Sequence, residues 1–275
     1  MDRSIRTTDD VLRLMDGLFA RETDRWTADA GTWWDGFYAD REKSVPFFAA
    51  KPDENLVSYA DRGLITPGRV LELGCGPGRN AVHLASLGFE VDAVDLSPSA
   101  LAWAEDRARE AGAEVRFHRG DIFTLTETEL TGPYDLVYDS GCFHHLPPHR
   151  RVSYLALLDR VLAPGGGFAL TCFAAGEGGM GSELPDAAFY DRGGLRGGLA
   201  YTPESLRRIF ADLTEIELRR MRDEPSGSPH FGEPFLWTAL FRRGDRGEGP
   251  VRYRHWSTER IPDLPTALRR APRGR

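Results

Sequence analysis

The sequence predicts a doubly wound α/β sheet of seven strands, mostly parallel, with an antiparallel hairpin at one edge and a helical cap at the N-terminus. Three observations predict it. Short apolar, β-branched runs alternate with helix-like stretches through the middle of the chain, the pattern of parallel strands covered by helices. One of those runs passes straight into a turn with glycines at 74, 76 and 78. Two further β-rich runs near the end are joined by Glu224-Pro225-Ser226-Gly227-Ser228-Pro229, close enough to pair antiparallel.

The elements follow in order. From about Thr8 to Ala28 apolar Val11, Leu12, Leu14, Leu18 and Phe19 behind Asp9 and Asp10 predict a helix. Trp33, Trp34, Phe37, Tyr38, Phe47 and Phe48 then crowd into 16 residues. Such a cluster is either a strap packed on the core or a lid over a ligand, since Trp and Tyr bury a large area and keep a polar handle. Parallel strands are expected near 69–74, 89–95, 114–118, 134–139 and 166–173, with helices near 79–87, 98–111 and 148–162. Ser97-Pro98 caps and opens the second of these helices, and Gly112 follows its end. Pro147-Pro148 opens the third, where Val152, Leu155, Leu158 and Leu162 form a stripe, and Pro164-Gly165-Gly166 stops it. Residues 176–198 hold eight glycines and read as a long functional or mobile loop. Thr202-Pro203-Glu204 caps a helix to about Ala211, and strands near 214–221 and 234–242 make the hairpin. The expected division is a helical and aromatic cap over 1–60, a ligand-binding domain over 61–242 with the 176–198 insertion, and a basic tail over 243–275.

Composition narrows the function. With 41% hydrophobic and 28% charged residues the chain is neither disordered nor membrane-spanning, and the acidic N-terminus does not resemble a secretory peptide, so a cytoplasmic protein is expected. Cys75, Cys142 and Cys172 are far apart and show no ligand spacing, so neither disulfides nor a metal is expected. The net charge is -7, but ten Arg against four Asp/Glu from Arg242 onward leave -13 on the rest. A body that acidic repels phosphate backbones, so no nucleic-acid or membrane partner is expected and a small molecule is. The basic tail reads as a solvated extension.

Chemistry concentrates in Val70-Leu-Glu-Leu-Gly-Cys-Gly-Pro-Gly-Arg-Asn80. Glycine lets the backbone turn tightly and a ligand approach it, and the helix behind offers free N–H groups to an anion. The dinucleotide pattern G-x-G-x-x-G fails, because Arg79 stands where its last glycine would be. The next strand, Phe89-Glu-Val-Asp-Ala-Val-Asp95, ends in an acid placed to accept both hydroxyls of a ribose, or to do no more than cap the following helix.

Together with Gly120-Asp121-Ile122, Tyr134-Asp-Leu-Val-Tyr-Asp139 and Leu162-Ala-Pro-Gly-Gly166, these runs resemble the successive motifs of the class I S-adenosylmethionine-dependent methyltransferases, in that family's order and spacing. The resemblance implies a Rossmann-like fold and S-adenosylmethionine as cofactor. The loop at Gly74, Gly76 and Gly78 would wrap its methionine part, Asp95 would take its ribose, Leu96, Asp121 and Ile122 its adenine, and Glu72, Cys75 and Asn80 would also bind the cofactor. Asp139 and Ser140 would border the methionine amine and the methyl. Since a neutral thioether leaves easily, what remains is in-line positioning and removal of the acceptor's proton. For the proton, His144 and His145 are the candidates, with ordinary values near 6.5. Adjacent side chains cannot both face a pocket from extended backbone, so one of them is expected there, His144 ahead. Trp33, Trp34, Phe37, Tyr38 and Tyr201 are the candidate lid and acceptor residues. Cys142 reads as a structural thiol.

The stretch after the fourth strand lacks the Pro-Pro-Tyr/Phe run of enzymes that methylate DNA bases, which again favours a small acceptor. The acceptor atom could be oxygen, nitrogen or sulfur. Two other uses of the same cleft share these motifs: an internal cyclisation that releases methylthioadenosine, and a catalytically silent binding module.

Overall fold

The computed structural model describes residues 5–19, 24–26, 29–192 and 197–245. The predicted basic tail beyond 245, the middle of the predicted first helix at 20–23 and its end at 27–28, and Gly193 and Gly194 lie outside the described residues. In chain order the elements are α1 (Thr8–Phe19), α2 (Ala30–Tyr38), α3 (Glu54–Asp61), β1 (Arg69–Leu73), α4 (Arg79–Ser86), β2 (Glu90–Asp95), α5 (Pro98–Ala111), β3 (Val115–Arg119), α6 (Ile122–Thr128), β4 (Tyr134–Ser140), α7 (Arg151–Val161), β5 (Leu162–Phe173), α8 (Asp186–Arg192), α9 (Pro203–Ile209), β6 (Thr214–Arg220) and β7 (Leu236–Arg242). Short 3-10 helices stand at Pro46–Phe48, Phe143–His145 and Pro148–Arg150.

The seven strands form one sheet in the order β3-β2-β1-β4-β5-β7-β6. β1 to β5 are parallel, and β7 pairs antiparallel with both β5 and β6, so the predicted edge hairpin is present with its second strand inserted inward. Strand order reverses between β1 and β4, the switch point at which open α/β sheets bind ligands. Leu73 is level with both Val94 and Asp139, so the turn after β1, Asp95 and Ser140 emerge together at one edge.

Both faces of the sheet are covered. Leu71, Val137, Tyr154, Leu157, Phe168 and Phe210 fill one side, and Leu56, Tyr59, Val70, Leu84 and Ala169 the other. Local signals act as expected at α5, where the Ser97 hydroxyl accepts the Ala100 N–H and Gly112 ends the helix at φ 62°. At α9 Thr202 and Ser205 cap each other reciprocally.

The structure corrects three expectations. The stripe on α7 is rotated: Val152 is 43% exposed, and the buried face is Tyr154, Leu157, Leu158 and Val161. The cause is Tyr154, whose hydroxyl donates to Asp139 Oδ2 at 2.7 Å and pins the helix. α7 ends at Val161, within a residue of the expected 162, but β5 begins at Leu162 rather than at 166, because Leu162 already pairs with Tyr134 ahead of a bulge. The glycine-rich stretch is not all loop, since it contains α8 and folds back through bridges at Ala174–Tyr201 and Ser182–Leu199.

The N-terminal segment sits on the carboxyl edge of the sheet. Asp35 of α2 accepts the Ser97 hydroxyl at 3.1 Å and the Ser99 N–H at 2.8 Å, which seats a carboxylate at the positive end of α5. Trp34, Phe37, Tyr38, Phe47 and Phe48 pack on one another and on Trp103 of α5. Among the described residues no helix is long and apolar enough to cross a membrane.

Candidate functional site

One cavity of about 1000 Å3 opens at the carboxyl ends of β1, β2 and β4. That is at the upper end of the roughly 300–1,000 Å3 of small-molecule sites, enough for a nucleoside with a second molecule beside it. Its floor is the turn from Gly74 to Gly78. Gly76 adopts φ 52°, and a Cβ there would lie 3.0 Å from the Tyr38 hydroxyl. Gly78, at φ 73°, would drive a Cβ to 2.7 Å from that of Ala104. Glycine is therefore required at the first for the cleft to stay open above the turn and at the second for α4 and α5 to pack.

Asp95 joins this turn to the next strand: Oδ2 accepts the Gly76 N–H and Oδ1 the Ser97 N–H, each at 2.8 Å. Burial pushes its carboxyl up to about 6, against the pull of those backbone donors. The cap of α5 is Ser97, so Asp95 is left to face the cavity. Glu72, on β1 just ahead of the turn, also lines the cavity, with Oε2 buried and without a hydrogen-bond partner. Burial holds its carboxyl well above the usual range; Arg79 opposes this, and Asp53, Asp139 and Asp95 add to it. Leu96, Asp121 and Ile122 line the side wall, where Asp121 Oδ1 also accepts the Phe123 N–H at 2.8 Å as the cap of α6.

The opposite wall rests on a buried pair with no motif to announce it. Asp53, ahead of α3, is paired with Arg79 of α4, and both are almost fully enclosed. Tyr138, Ser140 and Asn80 donate to Asp53 Oδ2, while Asn80 Oδ1 accepts the Asp53 N–H at 2.9 Å. Arg79 further donates to Ser140 Oγ and the Lys51 carbonyl and lies 4.3 Å over the Phe231 ring. The network thereby ties the cap, the glycine turn, β4 and the β6–β7 connection together.

His144 and His145 both border the cavity, contrary to the expectation that one would turn away. The backbone there is 3-10 helical rather than extended. The Phe173 N–H donates to His144 Nδ1 at 3.3 Å, so the proton of the neutral ring sits on Nε2, which donates to His145 Nε2 at 3.2 Å. Burial pushes His144 well below 6.5 and His145 down to about 3, with the Arg25 charge adding to both effects. Both rings are neutral at pH 7, and burial makes each a weaker base than a free imidazole.

The other sequence-predicted residues divide. Gly74, Cys75, Gly76, Asn80, Ser140, Trp34 and Tyr38 line the cavity, and Gly78 supports it from behind. Asp139 does not line it: its carboxylate accepts the N–H groups of Gly141, Cys142 and Phe143 and the Tyr154 hydroxyl, so it caps the turn that carries the histidines. Tyr201 is also outside, stacked on Phe143 at 5.0 Å in the core. Trp33 and Phe37 form a layer behind Trp34 and Tyr38. Burial pushes the Cys142 thiol well up, which suits a structural thiol. No group of three or more His, Cys, Asp or Glu able to hold a metal occurs among the described residues.

Sequence reading missed Asp53, Phe173, Phe231 and Phe235, and treated Arg79 only as a departure from a glycine pattern. A lone acid and three scattered phenylalanines carry no local signal; only chain path brings them to the cavity.

Residues 70–166 match the family model described as Methyltransferase domain. An uncharacterized methyltransferase of Schizosaccharomyces pombe is 38% identical over 92 residues, 34% of this chain and 62% of the relative. The 2-heptyl-1-hydroxyquinolin-4(1H)-one methyltransferase of Mycobacteroides abscessus is 30% identical over 129 residues, 46% of this chain and 56% of the relative. The chain thus spans about 62% or less of the length of these curated relatives. The solved structure of the Burkholderia thailandensis 1,6-didemethyltoxoflavin-N1-methyltransferase, with 1,6-didemethyltoxoflavin and S-adenosylhomocysteine bound, shares the fold at TM-score 0.54 and 20% identity, over 89% of this chain and 94% of that one.

Proposed function

We propose that the chain, whose residues 70–166 match a methyltransferase domain, is a class I S-adenosylmethionine-dependent methyltransferase that transfers a methyl group from S-adenosylmethionine to an oxygen, nitrogen or sulfur atom of a small-molecule acceptor by direct in-line displacement. The observation that carries this reading is the meeting, in one cavity, of the glycine turn with an acidic wall on one side and an aromatic and histidine wall on the other.

The residues present fit that cofactor. The hollow above Gly76 is one a Cβ would fill, and the orphaned Glu72 Oε2 is a buried acid awaiting a cationic or hydrogen-bonding neighbour. When bound, S-adenosylmethionine supplies a methyl group made electrophilic by its positive sulfur. Asp95 would hold the ribose hydroxyls, Leu96, Asp121 and Ile122 the adenine, and the Gly74–Gly78 turn with Glu72 and Ser140 the amino-acid end. The residues of this chain bind, orient and exclude water; with the cap over the carboxyl edge, reaction becomes a matter of holding two molecules in line. His144 and His145, neutral at pH 7 and weakened as bases by burial, orient the acceptor by hydrogen bonding and suit one that parts easily with its proton. The acceptor accordingly brings its own free lone pair, as an already acidic hydroxyl, a thiolate or an uncharged nitrogen.

Calorimetric titration with S-adenosylmethionine and with S-adenosylhomocysteine tests this reading. One site is expected for each, weakened at least tenfold by Asp95→Ala. An unchanged affinity would remove Asp95 from the ribose, and a protein that binds neither nucleoside has another function. Mass spectrometry of S-adenosylmethionine incubated without acceptor separates methyl transfer, which leaves it intact, from cyclisation, which yields methylthioadenosine.

A further inference from the structure

The acceptor half of the cavity is enclosed by rings from chain segments far apart in sequence. Phe47 faces Phe37 at 6.2 Å between centroids, and Phe37 meets Trp34 edge-on at 5.7 Å. Trp34 meets His145 at 5.1 Å, and His145 meets His144 at 4.3 Å. His144 is stacked on Phe173 at 3.7 Å, and Phe173 reaches Phe235 at 6.4 Å. Phe235 and Phe47 then pack on the same small cluster around Phe231, which closes the circuit. All of these except Phe37 line the cavity.

We propose that the acceptor is a flat aromatic or heteroaromatic molecule, held within this closed belt of rings with its nucleophilic atom turned toward the glycine turn; the proposal rests on the methyl-transfer reading. Three features favour a planar guest over an aliphatic one. Ring centroids 3.7 to 6.4 Å apart, some pairs stacked and others edge-on, present both faces and edges, the two surfaces on which another ring packs well. The belt is rigid before any ligand arrives, because His144 is fixed by the Phe173 N–H, Trp34 Nε1 donates to the Arg25 carbonyl at 3.1 Å, and Phe231 lies under Arg79. A rigid slot suits a rigid guest, and a flexible chain would lose its own freedom on entering. Belt members also carry no charge, and nearby Arg79 is paired with Asp53 while Arg25 places one positive charge near the histidine rings, so the belt itself offers no set of counter-charges to a polyionic acceptor.

The test uses the full chain saturated with S-adenosylhomocysteine and two probes of equal carbon skeleton, 2-naphthol and the fully saturated decahydro-2-naphthol, titrated by calorimetry. After correction for their water-to-octanol partition, the naphthol is expected to bind at least fivefold tighter. Phe235→Leu and Phe47→Leu, which keep an apolar side chain and most of its volume but remove the ring, should each cut that preference about threefold, within the roughly two- to tenfold that one ring pair contributes, with the affinity for S-adenosylhomocysteine unchanged. Equal binding of the two probes, binding of neither, or a preference that survives both substitutions overturns the aromatic assignment and leaves methyl transfer standing. Failure of S-adenosylhomocysteine itself to bind removes both.

Discussion

The hydroxyl of Tyr38, on the cap, stands 3.0 Å from where a side chain on Gly76 would begin, on the turn after β1. The cap and the turn therefore share one small volume at the mouth of the cleft, and neither can change without the other.

Gly76→Ala should lower stability by about 1–2 kcal/mol, the cost of a Cβ in the left-handed region, and should weaken cofactor binding by more than that strain alone. Adding Tyr38→Phe, which removes the crowding oxygen, is expected to restore part of the binding and none of the backbone cost. Calorimetry and urea melts on the two single variants and the double separate these effects; additive binding losses would contradict the contact.

Asp95 sets a pH dependence. Its carboxyl is raised from 3.8 to about 6 by burial, so the folded chain holds that proton more firmly than the unfolded one. The stability it contributes is present below 3.8 and is lost as pH rises through 6. Cofactor binding runs the other way, because the ionised carboxylate is the better partner for ribose hydroxyls near a cation. Affinity for S-adenosylmethionine should fall as pH drops below about 6, and Asp95→Asn should flatten that limb; a limb that persists in the variant assigns it to another group.

Breaking the pair under the opposite wall should be costly. Asp53→Ala leaves the buried Arg79 uncompensated and Tyr138, Ser140 and Asn80 without their shared acceptor, a loss of about 3–5 kcal/mol by the precedent of buried pairs cut on one side. Arg79→Met in the same background should recover part of it. Chemical denaturation of the double-mutant cycle measures the coupling, and strict additivity would show that the two charges do not depend on each other.

Tyr201 offers the converse. Its ring belongs to the core against Phe143, and its hydroxyl accepts from Arg151 Nε at 3.3 Å. Tyr201→Phe should cost about 1 kcal/mol of stability for the lost hydrogen bond and leave cofactor affinity within twofold. A large binding loss would return Tyr201 to the cleft.

Much of the scaffold was legible because its signals are local. The alternation of strand and helix, Ser97 with Gly112 around α5, and the glycines after β1 each speak through neighbours in sequence, and all seven strands overlap the runs where the pattern placed them, β5 starting four residues early. The errors have a common origin. On α7 two apolar stripes exist, and the choice between them was made by Tyr154 reaching Asp139 across the fold. At His144 and His145 the expectation assumed extended backbone, and the 3-10 turn set by the Asp139 carboxylate turned both rings inward.

What the sequence determined by itself is the sheet, its order of elements and the turn that opens the cleft, because periodicity, capping and backbone freedom are properties of adjacent residues. Which side chains face the cleft was decided only by the tertiary structure: Asp53 found Arg79, Asp139 was drawn away into a turn, and distant rings closed a belt. Burial, which weakens two histidines as bases and raises Asp95, depends on how much of the whole chain surrounds a group, and no short stretch of sequence carries that quantity.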